Sequence, residues 1–250
     1  MKIIFSEAFP DYASYTFPYA VYAVQENPGE TDMIYEKGFL PYSDHRILGN
    51  RRGVYYLTRS LRIRLKDFSL TSENRRIRRK MSVEQPALAI KDKETFRNDT
   101  DFWNFCRNYA AERIGEKMPP ERLAYIFEHP YFNKIAVFSG AGGPLGYVWL
   151  VETDKIMHYW FAFFDTSLMR NGIGKWMIEQ MISHAKENGK EYMYLGTCYG
   201  TKPMYKMRDF RAVEFFDGNS WNKDMALLKT KCKSPKQNLD DFKRDIDRFL

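Results

Sequence analysis

Ile156-Met-His-Tyr-Trp-Phe-Ala-Phe-Phe164 runs into Asp165-Thr-Ser-Leu-Met-Arg170 and then Asn171-Gly172-Ile173-Gly174-Lys175; beyond a helical stretch stands Glu191-Tyr-Met-Tyr-Leu195-Gly196-Thr-Cys-Tyr199. The first segment is a continuous apolar run of strand length. From Ile173 the apolar residues Trp176, Met177, Met181, Ile182 and Ala185 recur at helical spacing, and Asn188-Gly189 ends the helix. Strand, glycine turn, helix, strand is an arrangement that holds phosphate-bearing ligands. Glycines let backbone N–H groups approach phosphate oxygens, and the helix N-terminus adds partial positive charge. The same residues also make an ordinary tight strand-to-helix turn.

Outward from this unit the pattern is mixed. Upstream, Lys134–Ser139 and Leu145–Glu152 flank Gly140-Ala-Gly-Gly-Pro144 and predict a hairpin. Before them come predicted helices over Thr100–Ile114 and Glu121–Glu128, the second opened by Pro119-Pro120. Thr71-Ser72-Glu73 is a sensible cap for a helix running to Lys80. Strands are predicted at Ala20–Gln25, Val54–Leu57, Leu61–Leu65 and Ala87–Ile90, with a short helix at Thr31–Lys37. In Leu61–Leu65, alternation sets Arg62 and Arg64 on one face and the apolar residues on the other. Downstream the reading gives a short helix at Lys202–Arg208, strands at Ala212–Phe216 and Met225–Lys229 around Asp217-Gly218, and an amphipathic helical tail over Gln237–Leu250. The expected class is α+β: a mixed, mostly antiparallel sheet flanked by helices, with a basic N-terminal region. A boundary near residue 95 would divide the chain into a region of residues 1–95 and a domain of residues 96–250.

Charge is unevenly placed. The chain carries 39 Lys or Arg against 32 acids, but between Arg46 and Lys80 there are twelve Lys or Arg and two acids. This segment exceeds the whole chain's excess of +7. It is either a surface for a polyanion such as nucleic acid or a solvated basic face. No apolar run reaches membrane-spanning length, and the apolar run at Met1–Phe5 is too short for a signal peptide. Cys106, Cys198 and Cys232 form no close pair in sequence, which points to a reduced, intracellular protein. Four scattered histidines and no Cys-x-x-Cys point away from a zinc or iron–sulfur site, so no metal is expected.

The order hairpin, long strand, Gly172-Ile173-Gly174 turn, helix, strand resembles the GNAT superfamily of N-acyltransferases. In that superfamily Gln or Arg commonly stands where this chain has Met169, with Arg170 adjacent. A closer likeness lies in Glu191–Gly196, Lys202-Pro-Met-Tyr-Lys206, Phe210-Arg211 and Phe216-Asp217-Gly218 with Trp221. These resemble the arginyl-tRNA–protein transferase family and its bacterial leucyl-transferring relatives. Tyr35-Glu-Lys-Gly38-Phe39 and Leu61–Phe68 followed by Arg75–Arg79 resemble its N-terminal half. Where some members carry cluster-binding cysteines this chain has Tyr55-Tyr56-Leu57-Thr58, so no such cluster is expected; Cys198 loosely matches a later family cysteine.

The resemblance implies a cytoplasmic enzyme that moves an amino acid from aminoacyl-tRNA to the N-terminal amine of a protein or peptide. It implies no membrane partner and no cofactor. Two rivals stay open: an acetyl-coenzyme A-dependent N-acetyltransferase, and a catalytically inactive RNA-binding module. Asp165, at the end of the central strand, is a candidate amine-binding group or general base, or else an Asx-type turn residue. Glu152 is a second candidate, or a plain turn residue. Tyr199 is a hydrogen-bond or proton donor, or a packed tyrosine. Arg170, Gly172 and Gly174, with Lys202 and Lys206 four apart on one helix face, are expected to bind the donor's phosphates. Arg62, Arg64, Arg75, Arg76, Arg78 and Arg79 are expected to meet the tRNA backbone.

Overall fold

Alternation in the short strand Ser60–Arg64 explains why the two ends of the chain share one sheet. The computed structural model describes residues 1–7, 19–43 and 52–233. In chain order its strands and helices are β1 (Lys2–Glu7), β2 (Tyr19–Val24), α1 (Thr31–Glu36), β3 (Phe39–Pro41), β4 (Val54–Leu57), β5 (Ser60–Arg64), α2 (Ser72–Met81), β6 (Ala87–Asp92), α3 (Thr100–Arg113) and α4 (Pro120–Phe127). There follow β7 (Lys134–Gly140), β8 (Gly143–Glu152), β9 (Ile156–Phe164), α5 (Ile173–Glu187), β10 (Tyr192–Thr197), α6 (Tyr205–Asp209), β11 (Val213–Phe216), β12 (Trp221–Asn222) and α7 (Met225–Lys233). The first four strands make an antiparallel sheet of order β1-β2-β4-β3. The other eight make a sheet of order β12-β11-β5-β10-β9-β8-β7-β6, antiparallel throughout except between β9 and β10. This is the mixed, mostly antiparallel α+β arrangement expected.

The expected division at residue 95 runs through the large sheet. β5 lies between β10 and β11, and β6 forms the opposite edge on β7. On one face of β5, Leu61 and Ile63 join a core with Ile77 and Met81 of α2 and Trp176, Met177, Met181 and Ile182 of α5. On the other face Arg62 is 5% exposed. Its guanidinium lies between the rings of Tyr192 and Trp221, 3.8 and 3.9 Å from their centroids. It also pairs with buried Glu214 on β11 at 2.8 Å, and Arg64 reaches the other oxygen of Glu214 at 2.8 Å. The two arginines do share a face, but they face a carboxylate. Arg62 is therefore a structural residue rather than the phosphate contact expected of it.

A second cluster joins the small sheet to the large one through Tyr35, Phe39, Tyr55, Tyr131, Tyr194 and Phe216. Gly38 is required there: at φ +86° it lies so close to the Phe216 ring that a Cβ would sit 2.3 Å from it. The third cluster packs Phe102, Cys106 and Ala110 of α3 with Phe127 and Trp149.

Two predicted elements differ. Met225–Lys229 was expected as a strand but begins α7, because the Asp224 carboxylate accepts the amides of Ala226 and Leu227 and nucleates a helix. The strand that pairs β11 is the short β12. Lys202–Arg208 is a 3-10 turn over Lys202–Met204 followed by α6, so Lys202 is exposed while Lys206 turns inward. The expected tail helix over residues 237–250 lies outside the described residues.

Two measurements follow from the buried charges. Glu214→Ala leaves Arg62 buried without its counter-charge, and urea unfolding should register a loss of about 3–5 kcal/mol. A loss below about 1 kcal/mol, the worth of an exposed pair, would contradict this account. Burial, reinforced by Arg52 and Lys93, lowers the pKa of His129 to about 4, and burial with Lys206 lowers His158 to about 3. Both rings bind protons more readily unfolded, at about 6.5. Their contribution is complete above pH ~6.5 and declines as the pH falls toward ~4. Stability at pH 5 should thus be lower than at pH 7, with a shallower slope in His129→Phe.

Candidate active site

The parallel pair β9 and β10 is joined for only a short distance. Tyr192 pairs with Ile156, Met193 with Met157 and Tyr194 with His158, and there the register ends. Each strand then departs from regular geometry. β9 carries an extra residue, Trp160, where Trp149 and Leu150 face Phe161 and Tyr159. β10 shifts register against β5 between Tyr194 and Thr197, with Gly196 at φ +77°. Bulges bend and twist strands, so β9 and β10 diverge as a fork. A cavity of about 330 Å³ lies in it, lined by His158, Tyr159, Gly196, Thr197, Tyr205 and Lys206. Leu40, Pro41, Ser43 and Tyr56 of the small sheet and its flank close the far side. Beyond His158, the β9 backbone groups on this side have no partner from β10.

At the far end of β9, Asp165 caps a 3-10 turn over Thr166–Asn171 by accepting the Ser167 amide at 2.9 Å. Gly172 ends the turn at φ +86°, in left-handed backbone that favours glycine, and α5 starts at Ile173. The first amides of α5 have no carbonyl one turn earlier to bond. Beside this helix start is a second cavity, about 390 Å³, lined by Tyr109, Phe164, Met169, Gly172, Gly174 and Lys175. Tyr159, Ile178 and Tyr205 line both cavities, so the two adjoin.

Helix α2 lies beside the glycine turn. A Cβ on Gly172 would stand 3.5 Å from the side chain of Ile77. Arg78 fastens the two helices, forming paired bonds of 2.7 and 2.6 Å to Glu179, which is 1% exposed, and a bond of 3.0 Å to Ser183. Arg78 is thus a helix–helix clamp. Arg75, Arg76, Arg79 and Lys80 are exposed, and Arg76 is paired with Glu73 on its own helix.

The three expected catalytic residues are not brought together. Glu152 pairs with Met157 near the start of β9 and makes an ion pair with Lys190 at 3.0 Å. Asp165 lies just past the other end of the same strand. Tyr199 is held by Thr58 and by the Arg59 amide, 3.0 and 2.8 Å from its hydroxyl. Among the described residues lining the two cavities there is no carboxylate. The expected phosphate group divides likewise: Arg170 and Lys202 are exposed, Gly172 and Gly174 line the second cavity, and Lys206 lines the fork. The Lys206 ammonium donates to the Leu195 carbonyl. Burial lowers its pKa to about 8, opposed by the Cys198 thiol.

Sequence spacing missed two features. His158 reads as one polar residue in an apolar strand, yet its Nδ1 lies 2.8 Å from the Tyr35 hydroxyl at the crotch of the fork. Cys198 and Cys232 are 34 residues apart, yet their sulfurs lie 3.6 Å apart in the core. Among the described residues no helix is long and apolar enough to cross a membrane.

Known proteins bear on this geometry. Residues 133–207, from β7 through the fork to Met207, match the acetyltransferase (GNAT) domain family. The chain is 27% identical over 228 residues to an aspartate/glutamate leucyltransferase of Chromohalobacter salexigens, covering 82% of this chain and 85% of that protein. An aspartate/glutamate leucyltransferase of Cereibacter sphaeroides is 27% identical over 175 residues, 65% of this chain and 60% of that one. The crystal structure of FemX superposes on 75% of this chain and 66% of its own, with 8% identity and a TM-score of 0.46. The chain thus resembles the leucyl-transferring proteins over most of its length, as the Lys202–Lys206 and Leu61–Arg79 segments implied, and residues 133–207 are similar to the GNAT domain.

If Asp165 acts as a cap, Asp165→Ala should cost about 1 kcal/mol and Asp165→Asn much less. Thermal unfolding measures both; an Asp165→Ala variant as stable as wild type would mean that the cap contributes nothing.

Proposed function

We propose that this chain is a tRNA-dependent aminoacyltransferase that moves a leucyl group from leucyl-tRNA to the N-terminal amine of a protein beginning with Asp or Glu. The observation that carries the reading is the joined cleft: an α5 N-terminus at one end, an open strand fork at the other, and an exposed arginine helix beside the first. Similarity to two leucyltransferases supports the amino acid and the acceptor.

In this reading the last phosphate of the tRNA 3′ end lies at the α5 amides, where the helix dipole favours an anion. Arg75, Arg76, Arg79 and Lys80 meet the acceptor stem, contacts that position the tRNA without reading its sequence. Tyr109 and Phe164, edge to face at 4.8 Å, offer a surface against which the terminal adenine stacks. The aminoacyl ester then reaches into the fork. Unpaired β9 amides beyond His158 donate to its carbonyl oxygen as negative charge develops there.

The acceptor amine, in its neutral form, attacks the carbonyl carbon. A C–N bond forms, the ester C–O bond breaks, the nitrogen loses a proton and the terminal ribose oxygen gains one. The ester is already activated, so orientation and charge stabilisation supply most of the rate. A donor of this kind is charged in the cytoplasm, where we expect the protein to act.

Filter binding of leucyl-tRNA at several salt concentrations tests the donor. Wild-type affinity should fall steeply with salt, with a log–log slope of about one per phosphate neutralised. Arg75→Glu with Arg79→Glu should weaken binding at least tenfold and flatten the slope. Tight coenzyme A binding without tRNA binding would overturn the proposal in favour of an acyl-coenzyme A donor.

A further inference from the structure

We infer that Lys206 reads the acceptor: its ammonium is the counter-charge for the acidic side chain of the acceptor's first residue. This rests on the reading above and assigns to one residue the preference for Asp or Glu.

The cleft has two lysines along its walls, and they are in opposite situations. Lys175, near the glycine turn, is neutralised by Asp209 at 2.7 Å. Lys206, in the fork, has the Leu195 carbonyl as a partner and forms no ion pair among the described residues. A shielded ammonium without a carboxylate is costly, and an anion entering the cavity would remove that cost. A phosphate of the donor is a poor candidate, because the helix terminus suited to it opens on the adjoining cavity. The fork cavity, about 330 Å³ and closed behind by the small sheet, has room for the acceptor's first side chain beside the aminoacyl ester. Thr197 and, from the far side of the cavity, Ser43 add hydroxyls that can donate to the second carboxylate oxygen. An amide side chain, uncharged, would gain little from Lys206.

The groups around Lys206 leave it as the one that titrates near neutrality. His158 on β9, lowered by burial to about 3, is neutral throughout the working range. The Cys198 thiol after β10 and the Tyr205 hydroxyl on α6 are each pushed up to about 12 by burial. Tyr56 on β4 is raised further still, also by burial. Arg59, bonded to the Tyr199 hydroxyl and the Cys198 carbonyl, and Tyr199 are not among the residues lining the cavity. Acidic selectivity should therefore decline as the pH rises through about 8, where Lys206 loses its proton.

The test is equilibrium binding of two peptides identical except for Asp or Asn at the first position, using the full chain without tRNA. For wild-type protein at pH 7, the Asp peptide should bind at least tenfold tighter. In Lys206→Met the ratio should fall to near one, and Lys206→Arg should recover part of it. Between pH 7 and pH 9 the wild-type ratio should fall as well, after correction for the α-amine pKa of each free peptide, which the Asp carboxylate raises. The pH series needs no variant and so stands even if Lys206→Met folds poorly. A wild-type ratio near one, or a ratio unaltered by Lys206→Met or by pH, would overturn the inference. Intact selectivity with no leucyl transfer from leucyl-tRNA would instead overturn the proposed activity and leave this assignment standing.

Discussion

The organisation of this molecule depends on where two parallel strands part. Three residue pairs join β9 to β10, and beyond Tyr194 and His158 each strand is bent by its own irregularity. Had the pairing continued, backbone hydrogen bonds would fill the space that is now a cavity. Each unpaired group near the fork costs free energy unless water or a ligand meets it. The surrounding packing offsets that cost: α5 and α2 cover one face of the sheet and the tyrosine-rich cluster covers the other. The strained part of the sheet is held open by well-packed parts on both sides.

Arginine is used in two ways in this chain. Arg62, Arg64 and Arg78 spend their charge internally, on Glu214 and Glu179, both 1% exposed. The first pair ties β5 to β11, and the clamp at Glu179 holds α2 against α5. Arg75, Arg76 and Arg79 are one to three positions from Arg78 on the same helix yet open to solvent. Helical periodicity makes this division: Ile77 and Met81 must face the core, and Arg78 lies on the flank that meets α5. The clamp keeps the exposed charges beside the glycine turn, where a phosphate chain entering the cleft would pass.

Much of the fold was legible because it is local. The strand and helix patterns around Ile156–Leu195, the hairpin of β7 and β8 and the capped start of α2 depend on periodicity and on residues three or four apart. The errors came where a distant partner or a cap overrode propensity. Met225–Lys229 looks like a strand until Asp224 is seen to bond two amides. Lys202 and Lys206 look like one helical face until the tight turn through Pro203 separates them. The division proposed at residue 95 assumed that neighbours in sequence form a unit, whereas β5 fits between two strands from the other end of the chain. His158 gave no signal because one polar residue in an apolar strand is compatible with many environments.

By itself the sequence determined which segments are helix or strand wherever no distant partner or cap intervened, where the positive charge is concentrated, and where a glycine turn opens a helix. These follow from side-chain periodicity and backbone freedom, which act over a few residues. Tertiary structure decided which charges are spent: Arg62 and Arg78 go to buried carboxylates from other elements, while Lys206 receives none among the described residues. It also decided that Asp165, Glu152 and Tyr199 stand apart and that Cys198 and Cys232 meet. Burial and the approach of remote segments control such outcomes, and neither can be read from spacing along the chain.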